Sequence, residues 1–370
     1  MSLKKTGERA CFIASNSAKG FFSYYHERFG NEKIDRVFIL KGGPGTGKSR
    51  FMRTVAEFAA AEGWGIEYIY CSSDADSLDA IILSSAEMTV AVLDGTAPHV
   101  FEANLPGVRE EIVNLGEFWR SEALLGQREE IIKRNEEKKK AYQMAYRYLA
   151  GLGAVMQNRD DLVFPFMKIE EIGQYAERIL EDVRMGQAFS EEPALHSSVG
   201  MGGEVTLDTY FSQAKKLFLV EDCRGCVQYF MRVVYRICRE KRLRIRVSFD
   251  PVLPDRIDGI FLLESGWAFV SARAEGLEYP HRRLSLRRFV KTSEMKPIRP
   301  MLNHLDQMSR ALRGGVLEAM GAVRNAHFAL EAIYSASMDF ARKEAFTKCF
   351  CEEHFLLQKK EECDTIEKRL

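Results

Sequence analysis

The sequence predicts an α/β protein in which a parallel sheet flanked by helices is built twice, each copy followed by a helical appendage. Three observations carry that expectation. A short apolar block leads through a glycine-rich loop into an amphipathic stripe near residue 40. A stretch of the second half repeats the first at a fixed offset, and each half then runs on into long segments with apolar residues at steps of three and four. The chain has 370 residues, 46% of them apolar and 29% charged, which suffices for two domains of ordinary size.

The first copy opens on residues 34–40, apolar and partly β-branched around Val37, Phe38 and Ile39, as suits a strand buried on both faces. Then comes Lys41-Gly42-Gly43-Pro44-Gly45-Thr46-Gly47-Lys48-Ser49, which from Gly42 meets G-x-x-x-x-G-K-[ST] at every position. Phe51, Val55, Phe58 and Ala59 form the stripe of a helix ending near Gly63. Strand, loop and helix in this order predict a phosphate-binding P-loop. Gly42, Gly43, Gly45, Thr46 and Gly47 supply inward-pointing N–H groups, and the helix start adds its positive dipole end. Lys48 would reach the outer phosphates and Ser49 would ligate Mg2+. The fold class is thus a duplicated P-loop NTPase fold.

Residues 66–71 read as the second strand, 77–85 as a short helix, and 88–94 as the third strand, ending in Asp94. An acid at that point is the second magnesium-side element, Walker B. Asp74 follows the second strand and His99 the third, at the same edge of the sheet. Asp74 could orient a water or a second substrate, and His99 could contact phosphate or the attacking group; each is equally a loop residue, and Asp76 or Ser77 reads as a helix cap.

Shifting residues 50–81 by 179 onto 229–260 gives eight identities in thirty-two, among them Phe51-Met52-Arg53 on Phe230-Met231-Arg232, Asp76 on Asp255 and Asp79 on Asp258. Residues 216–220 repeat the first strand. The intervening Glu221-Asp222-Cys223-Arg224-Gly225-Cys226-Val227-Gln228-Tyr229 is one residue shorter, with Val227 or Gln228 at the Lys48 position and two acids where phosphate would sit. The later strand 268–272 lacks the terminal acid. This copy is expected to keep the fold and lose Mg-nucleotide binding. Cys223 and Cys226, with Cys349, Cys351 and His354, have irregular metal-site spacing and read as drifted loop residues rather than a redox or zinc site. The expected domains are 1–190, with a helical insertion at about 105–185, and 191–370, with a helical segment from about 300.

The insertion's charged stretch 128–152 reads as a projecting helical hairpin, and Leu305, Met308, Leu312, Val316, Met320 and Val323 as its counterpart. These segments would pack on one another or on a protein partner. Arg282, Arg283, Arg287, Arg288 and Lys291 form the one concentrated basic run, read as a solvated face, an arginine finger for the Lys48 site or a patch for an anionic polymer. Fifty-three Lys and Arg balance fifty-three Asp and Glu, so no global field draws the chain to nucleic acid or a membrane. No apolar run approaches the ~18 residues of a membrane span. Cysteine is sparse, and Cys11, Cys71 and Cys238 lie in apolar surroundings; a cytoplasmic, reducing location is expected.

On Gly42 to Ser49, Ser72-Ser73-Asp74-Ala75-Asp76-Ser77-Leu78-Asp79 and Leu93-Asp94-Gly95-Thr96-Ala97-Pro98-His99, the sequence resembles an uncharacterised bacterial P-loop ATPase-like family with two tandem P-loop NTPase domains. The resemblance implies nucleotide binding at Lys48 and Ser49 and a duplicated fold, and brings no settled substrate. The resemblance implies that members often keep a phosphate loop in both copies, so residues 223–229 depart from it. The loop is also similar to that of AAA+ ATPases, which place Glu after the strand Asp; Gly95 stands there. The expected activity is an ATPase with ATP and Mg2+ at the first copy. The alternatives are a nucleoside or nucleotide kinase, whose loops are similar, and a non-hydrolysing switch or scaffold.

Overall fold

The computed structural model describes residues 2–4, 9–30, 32–98, 100–271 and 279–356. In chain order they form the hairpin β1 (Ala14–Ser17) and β2 (Gly20–Ser23), then β3 (Arg36–Lys41), α1 (Lys48–Ala61), β4 (Gly65–Tyr70), β5 (Leu78–Ser84), β6 (Thr89–Asp94) and β7 (Glu110–Asn114). Helices α2 (Arg128–Val163) and α3 (Ile169–Leu180) follow, and then β8 (Ser190–Pro193) and a second hairpin, β9 (Ser197–Gly200) with β10 (Gly203–Leu207). The second copy runs β11 (Lys216–Glu221), α4 (Cys226–Glu240), β12 (Arg244–Phe249), β13 (Ile257–Leu262), β14 (Trp267–Ser271) and β15 (Arg282–Ser285), and helices α5 (Arg299–Ala336) and α6 (Phe340–Phe355) end the chain.

The chain divides into two compact units that interleave along the sequence. Unit 2 comprises Phe29–Cys71, Asp76–Lys138 and Asn325–Leu370; unit 1 comprises Met1–Arg28, Ser72–Ala75 and Lys139–Arg324. The division therefore does not follow the consecutive blocks 1–190 and 191–370. The reason is visible in each core.

In unit 2 the strands run β4-β5-β6-β3-β7, with β3 parallel to both β6 and β7, and β5 antiparallel to β4 and β6. Val37, Phe38, Ile39 and Leu40 of β3 are buried, as a strand between two neighbours and two faces requires. Helix α1 turns Phe51, Met52, Val55 and Ala59 onto the sheet. Its flank is covered by α6, from the far end of the chain, through Phe51–Phe350 at 5.1 Å and Phe38–Phe350 at 4.8 Å between ring centroids.

Unit 1 repeats the plan in the order β8-β12-β13-β14-β11-β15, again with β11 parallel to β14 and β15 and antiparallel pairs on either side of β13. Helix α4 is covered by α3, which follows the first copy in sequence, with Tyr175 and Phe230 6.2 Å apart and Ile172, Ala176 and Leu180 fully buried. Both units are α/β with mixed, mostly parallel sheets flanked by helices, as a duplicated α/β domain would be. Each copy's sheet helix is buried by a helix that follows the other copy, so neither half of the sequence closes its own core.

Two expected elements differ. Within residues 77–85, Leu78–Ser84 form the strand β5 rather than a helix. Leu78 to Leu83 are buried at every position, which erases the period that separates strand from helix, and the β-branched Ile81 and Ile82 favour the strand. Residues 128–152 belong to one 36-residue helix, not a hairpin. Gly151 and Gly153 do not break it because they mark close packing: a Cβ at Gly153 would lie 2.6 Å from the Ala18 methyl, and one at Gly151 3.2 Å from Leu312. Among the described residues, no helix is long and apolar enough to cross a membrane.

Candidate functional site

Unit 2 places the loop 42–49 between the carboxyl end of β3 and the first turn of α1. Gly45 and Gly47 have φ of 73° and 78°, left-handed values that residues with a Cβ adopt only under strain. Gly47 is the N-cap of α1, so Lys48 and Ser49 are its first residues and their N–H groups open toward the loop. The buried Thr46 donates its hydroxyl to the Gly43 carbonyl at 2.9 Å, fixing the curl.

Lys48 Nζ lies 3.4 Å from Asp94 Oδ2, and both side chains are largely buried. The topology brings them together: β6 pairs directly with β3, Leu40 opposite Asp94, with no strand between them. Lys48 also donates to the Gly42 and Gly43 carbonyls at 2.7 and 2.9 Å. Asp94 Oδ1 accepts from the Thr96 N–H and hydroxyl at 2.9 and 2.5 Å. Burial is the strongest influence on Asp94 and raises its carboxyl above the usual range, against the pull of Lys48 and Thr96; Asp79 of β5 adds a smaller push in the same direction.

Ser49 Oγ accepts from the Leu78 N–H at 3.0 Å. Ser49 and Asp94 together offer a hydroxyl and a carboxylate oxygen, the hard donors that Mg2+ takes alongside phosphate oxygens and water. The donor set fits the metal.

Other predicted residues fall elsewhere. Asp74 belongs to the segment Ser72–Ala75 of unit 1 and is not among the residues gathered in unit 2. His99 lies outside the described residues. Gly95 is confined, since a Cβ there would lie 2.3 Å from Ile39 Cγ2; the glutamate that AAA+ ATPases carry at this point has no room. The arginine run lies in unit 1: Arg283 pairs with Glu221 at 3.1 Å, Arg288 stacks on Tyr175 and Phe289, and Lys291 sits 3.8 Å from Glu294.

Several residues at the loop carry no local motif. A Cβ at Gly45 would lie 2.5 Å from the Glu331 carbonyl oxygen and 2.7 Å from Ser335 Oγ, so the last turns of α5 lie flat against the loop. Ser335 donates to the Gly45 carbonyl at 3.1 Å. The Glu331 carboxyl is held below its usual range, first by a hydrogen bond with His327, then by the charges of His327 and Lys48 and by the Gly45 N–H, which together outweigh its burial. Lys138 of α2 is lowered chiefly by burial, opposed by Glu331 and reinforced by Lys48. The buried Lys343 of α6 brings Nζ within 3.2 Å of a Cβ at Gly47 and is lowered by burial. Trp119 and Tyr334, 5.5 Å apart, flank Gly43. Lys48, Lys138 and Lys343 thus lie around the loop together with Asp94 and Glu331; only Lys48 and Asp94 were legible, because the others come from helices distant in sequence.

The second copy's loop has been rebuilt. Four residues (222–225) join β11 to α4, where six (42–47) join β3 to α1. Gly225, at φ 92°, is the N-cap. Counted from this cap, the Lys48 position is Cys226, and counted from Phe51 on Phe230 it is Val227; neither is cationic. Val220 pairs with Ser271, so a serine stands at the Asp94 position and donates to the buried Asp258 at 2.7 Å. The Asp222 carboxylate accepts from Gly225 N–H at 2.9 and 3.0 Å and from Val227 N–H at 3.2 Å. An internal anion thus fills the hole that phosphate would need. Burial pushes Cys226 up to about 12, raises Cys223 and pushes Cys351 up to about 11, so these thiols stay protonated near neutrality. Burial lowers His354, which packs against Phe38 and Phe350. Among the described residues no group of three or more His, Cys, Asp or Glu gathers as a metal-ligand set.

Comparison with family models, with curated proteins and with solved structures returns no match for this chain.

Proposed function

We propose that this protein binds a magnesium–nucleoside triphosphate, ATP by preference, at residues 42–49 of the first copy and hydrolyses it there, with the second copy as an inactive regulatory or scaffold half. In this reading the chain belongs with the tandem P-loop ATPase-like proteins that it resembles. One observation carries it: a complete glycine loop at the N-terminus of α1, with Lys48 Nζ 3.4 Å from the Asp94 carboxylate. An unpaired acid near a lysine is common, but here the pair faces a row of loop N–H groups and a helix dipole, the arrangement that receives polyphosphate.

Loop N–H groups and the α1 terminus hold the phosphate tail, while Lys48 leaves the Gly42 and Gly43 carbonyls for phosphate oxygens. Ser49 and Asp94 hold Mg2+, which when bound neutralises the charge of the outer phosphates. Lys138 and Lys343 add positive potential. The sequence has no Asn-Lys-x-Asp guanine motif, which favours adenine.

Gly95 supports a second reading, a switch that binds without turnover, since no acid fits directly after Asp94 to activate water. A phosphate-release assay separates these. Phosphate from ATP and Mg2+ alone supports the ATPase; turnover only with an added nucleoside or nucleotide acceptor supports a kinase; tight binding without turnover supports the switch. Lys48→Ala is expected to lower binding and turnover at least a hundredfold, and normal turnover in that variant refutes the site.

A further inference from the structure

Lys343 of α6 is 2% exposed, and among the described residues its Nζ makes no hydrogen bond and no ion pair. The side chain ends at the phosphate loop. A Cβ at Gly47 would stand 3.2 Å from Nζ, 3.8 Å from Cδ and 3.6 Å from Phe340 Cε1, so the ammonium lies beside the residue that caps α1. Packing and capping hold α6 in this place. The Asp339 carboxylate accepts from the Arg342 N–H at 3.0 Å, and the Asp339 N–H donates to the Phe118 carbonyl at 2.9 Å. Further along, Phe346 and Phe350 pack on Phe51 of α1 at 6.3 and 5.1 Å between ring centroids.

That placement is unfavourable for a bare cation. A buried ammonium with no partner is among the least stable groups a core can hold. Lys343 also stands in the first turn of α6 and beside the amino terminus of α1, at the positive ends of two helix dipoles. Burial lowers its pKa, opposed by the neighbouring Glu344 and reinforced by the charge of Arg50. The carboxylates near the loop are engaged elsewhere, Asp94 with Lys48 and Thr96, and Glu331 with His327. An apolar side chain would satisfy the packing here. A lysine at this point calls for an anion from outside the chain, and the loop beside it is shaped to hold one.

We propose that Lys343 is a second phosphate ligand of this site, an ammonium delivered from the far end of the chain onto the oxygens of the polyphosphate held by residues 42–49. This rests on the nucleotide-binding reading of the loop and adds to it a residue that no local motif marks. The contact is direct rather than a share in the general potential, and it makes the grip on the phosphate tail depend on α6.

The test is calorimetric titration of the full chain with Mg-ATP and with magnesium tripolyphosphate, which carries no base, alongside thermal melting without ligand. Lys343→Met keeps an unbranched, buried side chain and removes the ammonium. It is expected to weaken binding of both probes at least tenfold and, because the unpartnered charge is gone, to melt higher than wild type. Lys343→Gln is expected to weaken binding likewise and stands in should the methionine variant fail to fold by circular dichroism. Lys348→Met removes a positive charge from the exposed side of the same helix and is expected to bind as wild type does. Unchanged binding in the Lys343 variants, with wild type binding and Lys48→Ala not, overturns the ligand role and leaves the nucleotide site intact. Weaker binding together with a lower melting temperature, the mark of a structural lysine, overturns it too, as does an equal loss in Lys348→Met. No binding by wild type refutes the nucleotide site and the Lys343 contact with it.

Discussion

The loops at Gly45 and Gly225 begin from one plan: a central parallel strand and a left-handed glycine capping the next helix. They part over what else is present. The first keeps Lys48 and Asp94 at 3.4 Å. In the second, Cys226 or Val227 replaces the lysine, Ser271 replaces the aspartate and an acid of the loop itself, Asp222, sits on the loop N–H groups. Each loop is also overlaid by a carboxylate-bearing helix. Asp160 Oδ1 would lie 2.5 Å from a Cβ at Gly225, and its other oxygen accepts from Gln228 and pairs with Arg256, each at 2.8 Å. In the second loop the negative charge on the N–H groups is supplied from within the chain. Where no lysine stands, Asp222, three positions before Gly225 and five before Val227, satisfies their N–H groups much as an N-cap would.

That contrast can be sharpened by substitutions of decreasing effect. Asp94→Asn should lower Mg-dependent nucleotide affinity at least tenfold, about 1.4 kcal/mol, when binding is titrated with and without Mg2+. The same variant should melt higher in the absence of ligand. Burial raises the Asp94 carboxyl, so the folded state holds its proton more tightly than the unfolded chain. The stability this lends is present below the unfolded pKa and is lost as pH rises through the folded value, so asparagine, which cannot ionise, is the more stable occupant on the alkaline side. A lower melting temperature for the variant at pH 7 would contradict this.

A smaller effect is expected in the other loop. Asp222→Ala removes the acceptor for Gly225 and Val227 N–H and should destabilise the protein by about 1 kcal/mol in urea denaturation, without altering nucleotide affinity. Restored nucleotide binding at the second copy would mean that the acid alone had silenced it.

The strand, loop and helix of the first copy were legible because one motif sets all three, and Asp94 was legible because it ends the next apolar strand of that sheet. Residues 77–85 were not, since complete burial from Leu78 to Leu83 removes the alternation that marks a strand. The domain boundaries were hidden for a different reason. Sequence reading joins neighbours, whereas Phe350 meets Phe51, and Ile172 shares a core with Phe230, across wide gaps in the chain. Glu331 and Ser335 lay beyond reach on the same ground: on the sequence they are two polar residues in a long amphipathic helix. Gly95 is the instructive intermediate. Its departure from the AAA+ pattern was readable, but the cause, Ile39 standing 2.3 Å from any Cβ there, required the packed sheet.

Calorimetric stoichiometry on the intact chain tests the difference between the two copies most directly. Titration with Mg-ATP should give one site per chain, lost in Lys48→Ala and untouched by Cys226→Ala. Two sites per chain, or a single site that survives Lys48→Ala, would contradict the account.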